Sequence, residues 1–269
     1  MNIWQDIYSY FSPVAFQVFS FPIHWYGLAY ISAILSAFFI ARYFIKKDKY
    51  PFSNNDLDDL FLYEALGIIL VSRIFYVAVY DPNSAYYLTH PWQMFNPFVN
   101  GSFTGIRGMS YHGGVIGFFV GSLIYARMYK KPFWKLMDLC ALSIPLAYVF
   151  GRIGNFLNQE LVGRVTEVPW GIYVGSTLRH PSQLYEAFLE GIVVFVILWF
   201  LRRYKSFDGF LIVWYFALYN LTRFLAEFYR APDIQMGFYF DYFTMGQLLS
   251  VGGVIISIIA YFLLRKRVT

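Results

Sequence analysis

The feature that most constrains this chain is a series of apolar runs, each about as long as a membrane-spanning helix. Crossing the hydrocarbon core of a bilayer takes roughly 20 residues of helix. Hydrophobic residues fill 58% of the 269 positions and charged residues only 14%, whereas soluble domains are nearer roughly 25% charged. A soluble fold of this length would leave much of its apolar surface in water. The chain is therefore predicted to be an all-α, polytopic integral membrane protein.

The apolar runs predict seven transmembrane helices. Their approximate ranges are 21–45, 57–80, 113–129, 133–153, 184–201, 209–228 and 244–264. The third is short for a span unless His112 and its neighbours belong to it. Residues 1–20 are rich in aromatic side chains, which indicates a segment lying at the membrane interface. Since no repeat or linker divides the sequence, residues 1–269 are predicted to form a single transmembrane domain.

Basic residues between the spans predict their orientation. They form four clusters, and each cluster follows an odd-numbered span. The clusters are Arg42, Lys46, Lys47 and Lys49; Arg127, Lys130, Lys131 and Lys135; Arg202, Arg203 and Lys205; and Arg265, Lys266 and Arg267. The positive-inside rule places that side in the cytoplasm. The N-terminus and residues 1–20 are then periplasmic, and the C-terminus is cytoplasmic.

The other basic residues are all arginines, and they lie in the spans or on the outer side. They are Arg73, Arg107, Arg152, Arg164, Arg179, Arg223 and Arg230. Arginine stays charged when desolvated and presents a planar fork to phosphate or carboxylate. An unpaired arginine at a helix centre costs roughly 2.5–3.5 kcal/mol on insertion scales, so its default interpretation is functional. The pattern predicts an anion site toward the outer face.

The segment 151–164, GRIGNFLNQELVGR, carries an unusual density of polar residues after an apolar run. If the fourth helix continues through it, Arg152 and Asn155 are three residues apart and share a face. Glu160, Gly163 and Arg164 would follow in the outer loop. The structural alternative is a helix cap in which Glu160 pairs with Arg152 or Arg164, and this accounts for only some of the polar residues.

A second polar group interrupts the sixth span in YNLTRFLAEFYR, residues 219–230. At about 100° per residue, Tyr219, Arg223, Glu227 and Arg230 form one stripe on an apolar helix. In the structural alternative, Glu227 forms ordinary ion pairs with Arg223 and Arg230. One glutamate cannot neutralise two arginines, so this interpretation leaves one positive charge over.

His112 lies in GMSYHGGVIG, residues 108–117, where glycines permit close approach of a helix or a substrate. Histidine accepts a proton near neutral pH, although a hydrogen-bonded structural histidine is the simpler alternative. Tyr26, in HWYG at 24–27, is equally compatible with an interfacial aromatic belt. Whether Glu64 and Arg73 in span two form a structural pair or join the polar interior stays open. Cys140, in an apolar run, is expected to be a buried hydrophobic residue.

Together, GRIGNFLNQELVGR, HWYG, YHGG, HPSQLYE (180–186) and RFLAEFYR resemble the prolipoprotein diacylglyceryl transferase family, from about residue 20 to 264. The resemblance implies seven transmembrane helices in the bacterial inner membrane, with a periplasmic N-terminus and an active site toward the periplasm. It implies a catalytic domain that moves the diacylglyceryl group of phosphatidylglycerol onto the lipobox cysteine of preprolipoprotein signal peptides. The products are a thioether and glycerol phosphate, in the first step of lipoprotein maturation.

The resemblance also implies roles for individual residues. His112 matches the essential histidine, Arg152 the phospholipid-binding arginine and Arg223 the second essential arginine, while Tyr26 is the fourth catalytic candidate. The substrate-binding candidates are Arg152, Asn155, Glu160, Gly163, Tyr219, Glu227 and Arg230. A cysteine thiol has a pKa near 8.5, so a base or a positive field must ionise it. Whether His112 or the field of Arg152 and Arg223 does so stays open. No cofactor, metal or nucleic-acid partner is expected.

Two other classes of membrane protein compete with this interpretation. A transporter or anion channel also uses buried arginines, but its polar residues would reach both faces, whereas here only Glu64 and Arg73 depart from the outer side. A metal-dependent phosphatidyl transferase would carry paired aspartates within a helix. Asp56, Asp58 and Asp59, at the start of span two, are more typical of a helix N-terminal cap.

Overall fold

The computed structural model describes residues 3–267, apart from residues 100, 104, 233–238, 240 and 241. The chain divides into two compact units. The larger unit comprises Met1–Tyr50 and Met137–Thr269, and the smaller unit comprises Pro51–Leu136. The two chain ends, residues 1, 2, 268 and 269, to which the predicted orientation refers, lie outside the described residues.

Helices dominate the described residues, which also contain three short antiparallel hairpins, one before α1 and two between later helices. In chain order the elements are β1 (Val14–Val18), β2 (Phe21–His24), α1 (Trp25–Lys47), α2 (Asn54–Val79), α3 (Ser84–Thr89), β3 (Phe98–Val99), β4 (Ser102–Phe103), α4 (Tyr111–Met128), α5 (Phe133–Leu157), β5 (Ile172–Val174), β6 (Thr177–Arg179), α6 (Ser182–Glu186), a π-helical segment (Ala187–Val193), α7 (Val194–Leu201), α8 (Phe210–Ala226) and α9 (Met245–Arg265). The strands pair as β1–β2, β3–β4 and β5–β6. The all-α prediction is therefore right for the long elements and missed the hairpins in the connections.

Among the described residues, five helices are long and apolar enough to cross a membrane. They are α1, α2, α5, the continuous helix Ser182–Tyr204 and α9. The predicted sixth span corresponds to α8, an apolar helix of 17 residues. The predicted third span corresponds to α4, whose 18 residues begin at Tyr111 and so include His112. The chain is a multi-pass membrane protein, and the count of seven spans stays a prediction.

In the smaller unit, α2 and α4 pack closely because glycines line their contact. A Cβ atom on Gly117 would lie 2.2 Å from the carbonyl oxygen of Gly67, and one on Gly121 would lie 2.3 Å from that of Tyr63. The helix α2 begins with a capping box, in which Asp56 accepts from the backbone of Ser53 and the Ser53 side chain accepts from Asp56 N. The cap predicted at the start of span two is confirmed for Asp56.

In the larger unit, α8 and α9 pack side by side. The start of α8 is fixed by the buried carboxylate of Asp138, which accepts hydrogen bonds from the backbone N–H groups of Gly209, Leu211 and Ile212. These are donors that a helix N-terminus cannot satisfy internally. Cys140 on α5 is buried, as predicted.

The predicted interfacial segment 1–20 contains a 3₁₀ turn at Ile7–Ser9 and strand β1. It contacts the β5–β6 region: Tyr173 N donates to the carbonyl oxygen of Gln5 at 2.7 Å, and the Trp4 indole donates to that of Trp170 at 2.8 Å. The described part of this segment, residues 3–20, therefore packs within its unit, and its position at a membrane interface stays a prediction.

Candidate active site

Arg152 lies near the end of α5, and its guanidinium has a different partner at each nitrogen. Its Nε donates to the Tyr148 hydroxyl at 2.6 Å, its Nη1 donates to Asn155 Oδ1 at 3.3 Å, and its Nη2 lies 3.0 Å from Glu186 Oε2. The helix does continue to Leu157, so the prediction that Arg152 and Asn155 share a face is confirmed. The side chain is only 14% exposed, which places a fixed cation inside an apolar helical unit.

Glu160 lies in the turn that follows α5. Its carboxylate accepts from Asn155 Nδ2 at 2.7 Å and from Asn158 Nδ2 at 2.8 Å, and Gln183 donates to its backbone carbonyl. The structural alternative that paired Glu160 with Arg152 is wrong, because the carboxylate on Arg152 belongs to Glu186. Glu160 instead orients Asn155, which in turn contacts Arg152.

Arg223 projects from the last turn of α8 between two carboxylates. Its Nη1 lies 2.8 Å from Glu186 Oε2 and its Nη2 lies 2.8 Å from Glu227 Oε2. A hydrogen bond from the Thr244 hydroxyl, at 3.2 Å, holds the other oxygen of Glu227. The Arg223–Glu227 pair expected from the i, i+4 spacing is therefore present, within a buried network instead of on an exposed helix face.

The prediction that Arg230 continues the helical stripe of α8 is wrong. The helix ends at Ala226 with Glu227 as its C-cap, and Arg230 lies beyond it in an antiparallel β-bridge with Gly163. Next to this bridge, Arg164 N donates to the carbonyl oxygen of Tyr229 at 2.9 Å. The Arg230 guanidinium still approaches the same group, with Nη1 3.7 Å from Glu186 Oε2.

Glu186 and Glu190 are functional candidates that the sequence interpretation missed. Both side chains are fully buried, and one oxygen of Glu186 faces Arg152, Arg223 and Arg230 together. Glu190 accepts from the Tyr148 hydroxyl, and its Oε1 lies 3.7 Å from Arg223 Nη1. The predicted surplus of positive charge counted Glu227 alone and did not include these two carboxylates. The sequence feature that could have identified them is a pair of glutamates, four residues apart, at the start of an apolar span.

The π-helical segment Ala187–Val193 places these two glutamates. Such wide turns are uncommon, and they occur frequently at functional sites. Glu186 lies at its start and Glu190 within it, so both carboxylates project toward the arginines of α5 and α8 from one short stretch of chain.

Gly163 lies where two backbone segments meet. Its N–H donates to the carbonyl oxygen of His180 at 3.0 Å, and an added Cβ would lie 2.5 Å from that oxygen and 2.6 Å from the carbonyl oxygen of Tyr229. Arg164 reaches across the same junction, donating from Nε to the carbonyl oxygen of Arg230 at 2.9 Å. Burial lowers the pKa of the His180 imidazole, which favours its neutral form. The hydrogen bonds of Gly163 and Arg164 hold the loop that follows α5 against the end of α8.

Two tyrosines of the predicted site lie near the same helices. Tyr219 on α8 packs its ring against Tyr148, with centroids 5.7 Å apart in an edge-to-face arrangement. Tyr26 lies in the first turn of α1, with its ring centroid 5.0 Å from that of Tyr30. An added Cβ on Gly154 of the 151–164 motif would lie 3.7 Å from the Tyr26 ring, so this tyrosine is adjacent to the helix that carries Arg152.

His112 belongs to the smaller unit. It lies in the first turn of α4, after the N-cap Ser110, whose hydroxyl accepts from Gly113 N at 3.3 Å. Its side chain is exposed, and its ring is 6.5 Å from that of Phe75. An exposed imidazole on a fixed helix end is able to exchange a proton with a ligand.

The structure gives Glu64 and Arg73 separate structural contacts in the smaller unit. The buried Glu64 carboxylate accepts from the Ser122 hydroxyl at 2.8 Å. Arg73 donates to the carbonyl oxygens of Met94 at 2.5 Å and Gly108 at 3.2 Å, and also to that of Arg107. Arg73 therefore ties the connection between α2 and α4 to α2.

The family model described as prolipoprotein diacylglyceryl transferase matches residues 13–263. Relatives carrying the name phosphatidylglycerol–prolipoprotein diacylglyceryl transferase occur in Campylobacter curvus (54% identity over 266 residues, 99% of this chain and 98% of the relative), Wolinella succinogenes (56% over 264 residues, 98% and 97%) and Campylobacter jejuni strain RM1221 (53% over 261 residues, 97% and 96%). With a match that spans nearly its whole length, this chain belongs to the prolipoprotein diacylglyceryl transferase family.

Proposed function

We propose that this transferase moves the diacylglyceryl group of phosphatidylglycerol onto the thiol of a lipobox cysteine in a preprolipoprotein signal peptide. The observation that carries the proposal is the convergence of Arg152, Arg223 and Arg230 on one carboxylate, that of Glu186, within apolar helices. Fixed guanidiniums in such a setting suit a phosphate group, which accepts the planar fork of arginine. The names of the relatives agree with a phospholipid substrate and a protein acceptor.

The reaction is a substitution at a glycerol CH₂ carbon. The thiolate sulfur forms the new C–S bond, and the C–O bond to phosphate breaks with its electron pair staying on the leaving oxygen. The products are the thioether and glycerol phosphate. Negative charge grows on the phosphate as the bond breaks, so arginines aimed at it stabilise the transition state more than the ground state. Arg152 and Arg223 have this role in the proposal.

The thiol proton must leave before or during the attack. His112 is the proposed acceptor, because histidine is the side chain that most often serves as a general base. Its role is supported by the family resemblance and by its exposure on α4. The positive field of Arg152 and Arg223 is the alternative means of ionising the thiol, and in that case His112 orients the substrate.

The remaining candidate residues are proposed to bind substrate or shape the site. Tyr26 and Tyr219 supply hydroxyls to the phosphate or the leaving oxygen, and Asn155 and Glu160 orient Arg152 through the hydrogen bonds between them. The proposed substrate site is also lined at the end of α8, by Gly163, Glu227 and Arg230. We place this single catalytic domain in the bacterial inner membrane, with seven spans and its active site toward the periplasm.

Purified enzyme mixed with phosphatidylglycerol and a lipobox peptide tests the proposal directly. The expected result is release of glycerol phosphate together with a lipidated peptide, and replacing the cysteine of the peptide by serine should abolish both. Absence of product from enzyme that is folded in detergent, while native membranes remain active, would overturn the proposal. Anion flux through the same protein in sealed vesicles would then support an anion channel.

A further inference from the structure

We propose that Tyr148 is a positioning residue for Arg152, with Glu190 fixing the direction of the tyrosine hydroxyl. The inference rests on the proposed function, because it gives the orientation of the Arg152 guanidinium a catalytic purpose. It assigns a role to two buried groups on α5 and the π-helical segment that the reaction itself does not require.

The contact between Tyr148 and Arg152 follows from their spacing on α5. They are four residues apart, one helical turn, and therefore lie on the same face. Arg152 Nε donates to the Tyr148 hydroxyl at 2.6 Å, and the guanidinium carbon is 4.9 Å from the centre of the tyrosine ring. The ring is held from another direction by Tyr219, whose centroid lies 5.7 Å away. Tyr148 thus has little freedom to follow Arg152 if the arginine moves.

Glu190 determines which way the Tyr148 hydroxyl points. A phenol has a single O–H hydrogen, and this hydrogen is donated to the fully buried carboxylate of Glu190. A lone pair of the same oxygen then faces Arg152 Nε–H. Without the carboxylate the hydroxyl hydrogen could rotate toward the arginine, where two donors would oppose each other. Glu190 therefore acts on Arg152 through Tyr148.

The result is a guanidinium held at all three nitrogens, by Tyr148 at Nε, Asn155 at Nη1 and Glu186 at Nη2. A guanidinium has five N–H donors, and within the described residues these contacts account for three. The two others keep a fixed direction in which to meet a phosphate. Preorganised donors of this kind stabilise charge that develops in a transition state without a further cost of reorganisation.

Removing the hydroxyl by Tyr148→Phe should lower kcat/KM for phosphatidylglycerol by roughly 10- to 100-fold, since misplacing a reacting group by about 1 Å can cost roughly 100-fold. The decisive measurement is the same substitution in an Arg152→Lys background. Lysine has no Nε–H to donate to the tyrosine oxygen, so Tyr148→Phe should have almost no further effect there. A tyrosine that only stabilises the fold would lower the rate by the same factor in both backgrounds, and that outcome would overturn the inference.

Tyr125→Phe is the matched control. Tyr125 is a fully buried tyrosine of α4 whose hydroxyl donates to Asp56 Oδ1 at 3.0 Å, so the control also removes a tyrosine–carboxylate hydrogen bond. It is expected to keep the wild-type rate per folded molecule, as judged by gel filtration in detergent. A loss in Tyr125→Phe equal to that in Tyr148→Phe would show a general effect of losing such bonds and would also contradict the inference.

Two substitutions of Glu190 test the same contact if Tyr148→Phe fails to fold. Glu190→Gln keeps an oxygen that accepts from the tyrosine and should retain activity within about 10-fold, whereas Glu190→Leu should lose as much as Tyr148→Phe. Equal losses in the two Glu190 variants would contradict the role given to the hydroxyl. Failure of the proposed function is distinguishable, because the wild-type enzyme would then make no thioether at all.

Discussion

Arg152 supplies both a positive charge and a planar set of hydrogen-bond donors. The three nitrogens of the guanidinium contact three different groups, belonging to Tyr148, Asn155 and Glu186. A lysine ammonium carries the same charge on a flexible stem, without the planar fork. Lysine can therefore replace the charge of Arg152, but it cannot replace the planar set of donors.

If Arg152 is a clamp on the lipid phosphate, Arg152→Lys should fail almost as badly as Arg152→Gln. Losing one preorganised donor typically lowers the rate by about 10²–10³-fold, or roughly 2.7–4 kcal/mol. The measurement is glycerol phosphate release, normalised to folded enzyme in detergent. Near-full activity of Arg152→Lys would rule out the clamp on the phosphate and would leave a diffuse positive field as the role of Arg152.

Glu160→Gln tests whether the hydrogen bonds that orient Asn155, and through it Arg152, serve only to stabilise the fold. Its carboxylate accepts from Asn155 and Asn158, and an amide oxygen can keep part of that contact. We expect Glu160→Gln to stay folded and to lose less activity than Arg152→Gln. If instead it lost folded protein and activity as completely as Arg152→Gln, a structural role for the whole motif would be the better explanation.

His112 is the residue proposed to take the proton of the lipobox thiol. If it is the base, His112→Gln should lower turnover by roughly 10²–10⁴-fold while lipid binding survives. Raising the pH toward the thiol pKa of about 8.5 should restore part of the rate, because more thiol then ionises unaided. The pH–rate profile of the variant in detergent tests this. Turnover like that of the wild-type enzyme would exclude His112 from the mechanism.

At the scale of elements, the site depends on where helices end. The helix α8 ends at Ala226, and the chain then returns so that Arg230 bridges to Gly163. The loop after α5 meets the segments at His180 and Tyr229 in the same place. The closest approach falls on Gly163, where only a hydrogen atom fits between two carbonyl oxygens.

Gly163→Ala should therefore destabilise this junction and lower activity together with thermal stability. Overpacking typically costs roughly 1–3 kcal/mol, which predicts a lower midpoint of thermal unfolding in detergent. Gly151→Ala is the matched control in the same motif, because an added Cβ at Gly151 has no heavy atom within 4 Å. If Gly163→Ala kept the wild-type unfolding midpoint and lost only activity, Gly163 would contact the substrate instead of supporting the loop.

At the scale of the whole molecule, orientation across the membrane rests on the four basic clusters. By the positive-inside rule, we predict that the side carrying these lysines and arginines is cytoplasmic. The residues around Asn83, which precedes α3, are then predicted to lie outside the cytoplasm. The C-terminus, which lies outside the described residues, is predicted to lie inside it.

A reporter fused after Thr269 should accordingly be active in the cytoplasm, and a tag inserted near Asn83 should be accessible from the periplasm. Labelling the Asn83 tag in intact inner-membrane spheroplasts measures this, with the C-terminal fusion as the opposite control. A tag at Asn83 that reacts only after the inner membrane is opened would reverse the orientation.

The sequence by itself determined the helical membrane class, the family and most of the polar residues of the site. Apolar length and charge asymmetry are local properties, and a polar residue inside an apolar run stands out because burying it is costly. The arginines were found in this way, as was the shared face of Arg152 and Asn155. The hairpins before α1 and between later helices were missed, because their short strands of two to five residues lack a long periodic pattern.

Only the tertiary structure decided which carboxylates face which arginines. The i, i+4 spacing connects Arg223 to Glu227, but it carries no information about Glu186 and Glu190, which are far from Arg223 in sequence and reach it across helix contacts. The same holds for Arg230, which a helical wheel places on α8 and the structure places beyond its end. Burial of an ion pair depends on what packs around it, and packing is a property of the folded chain.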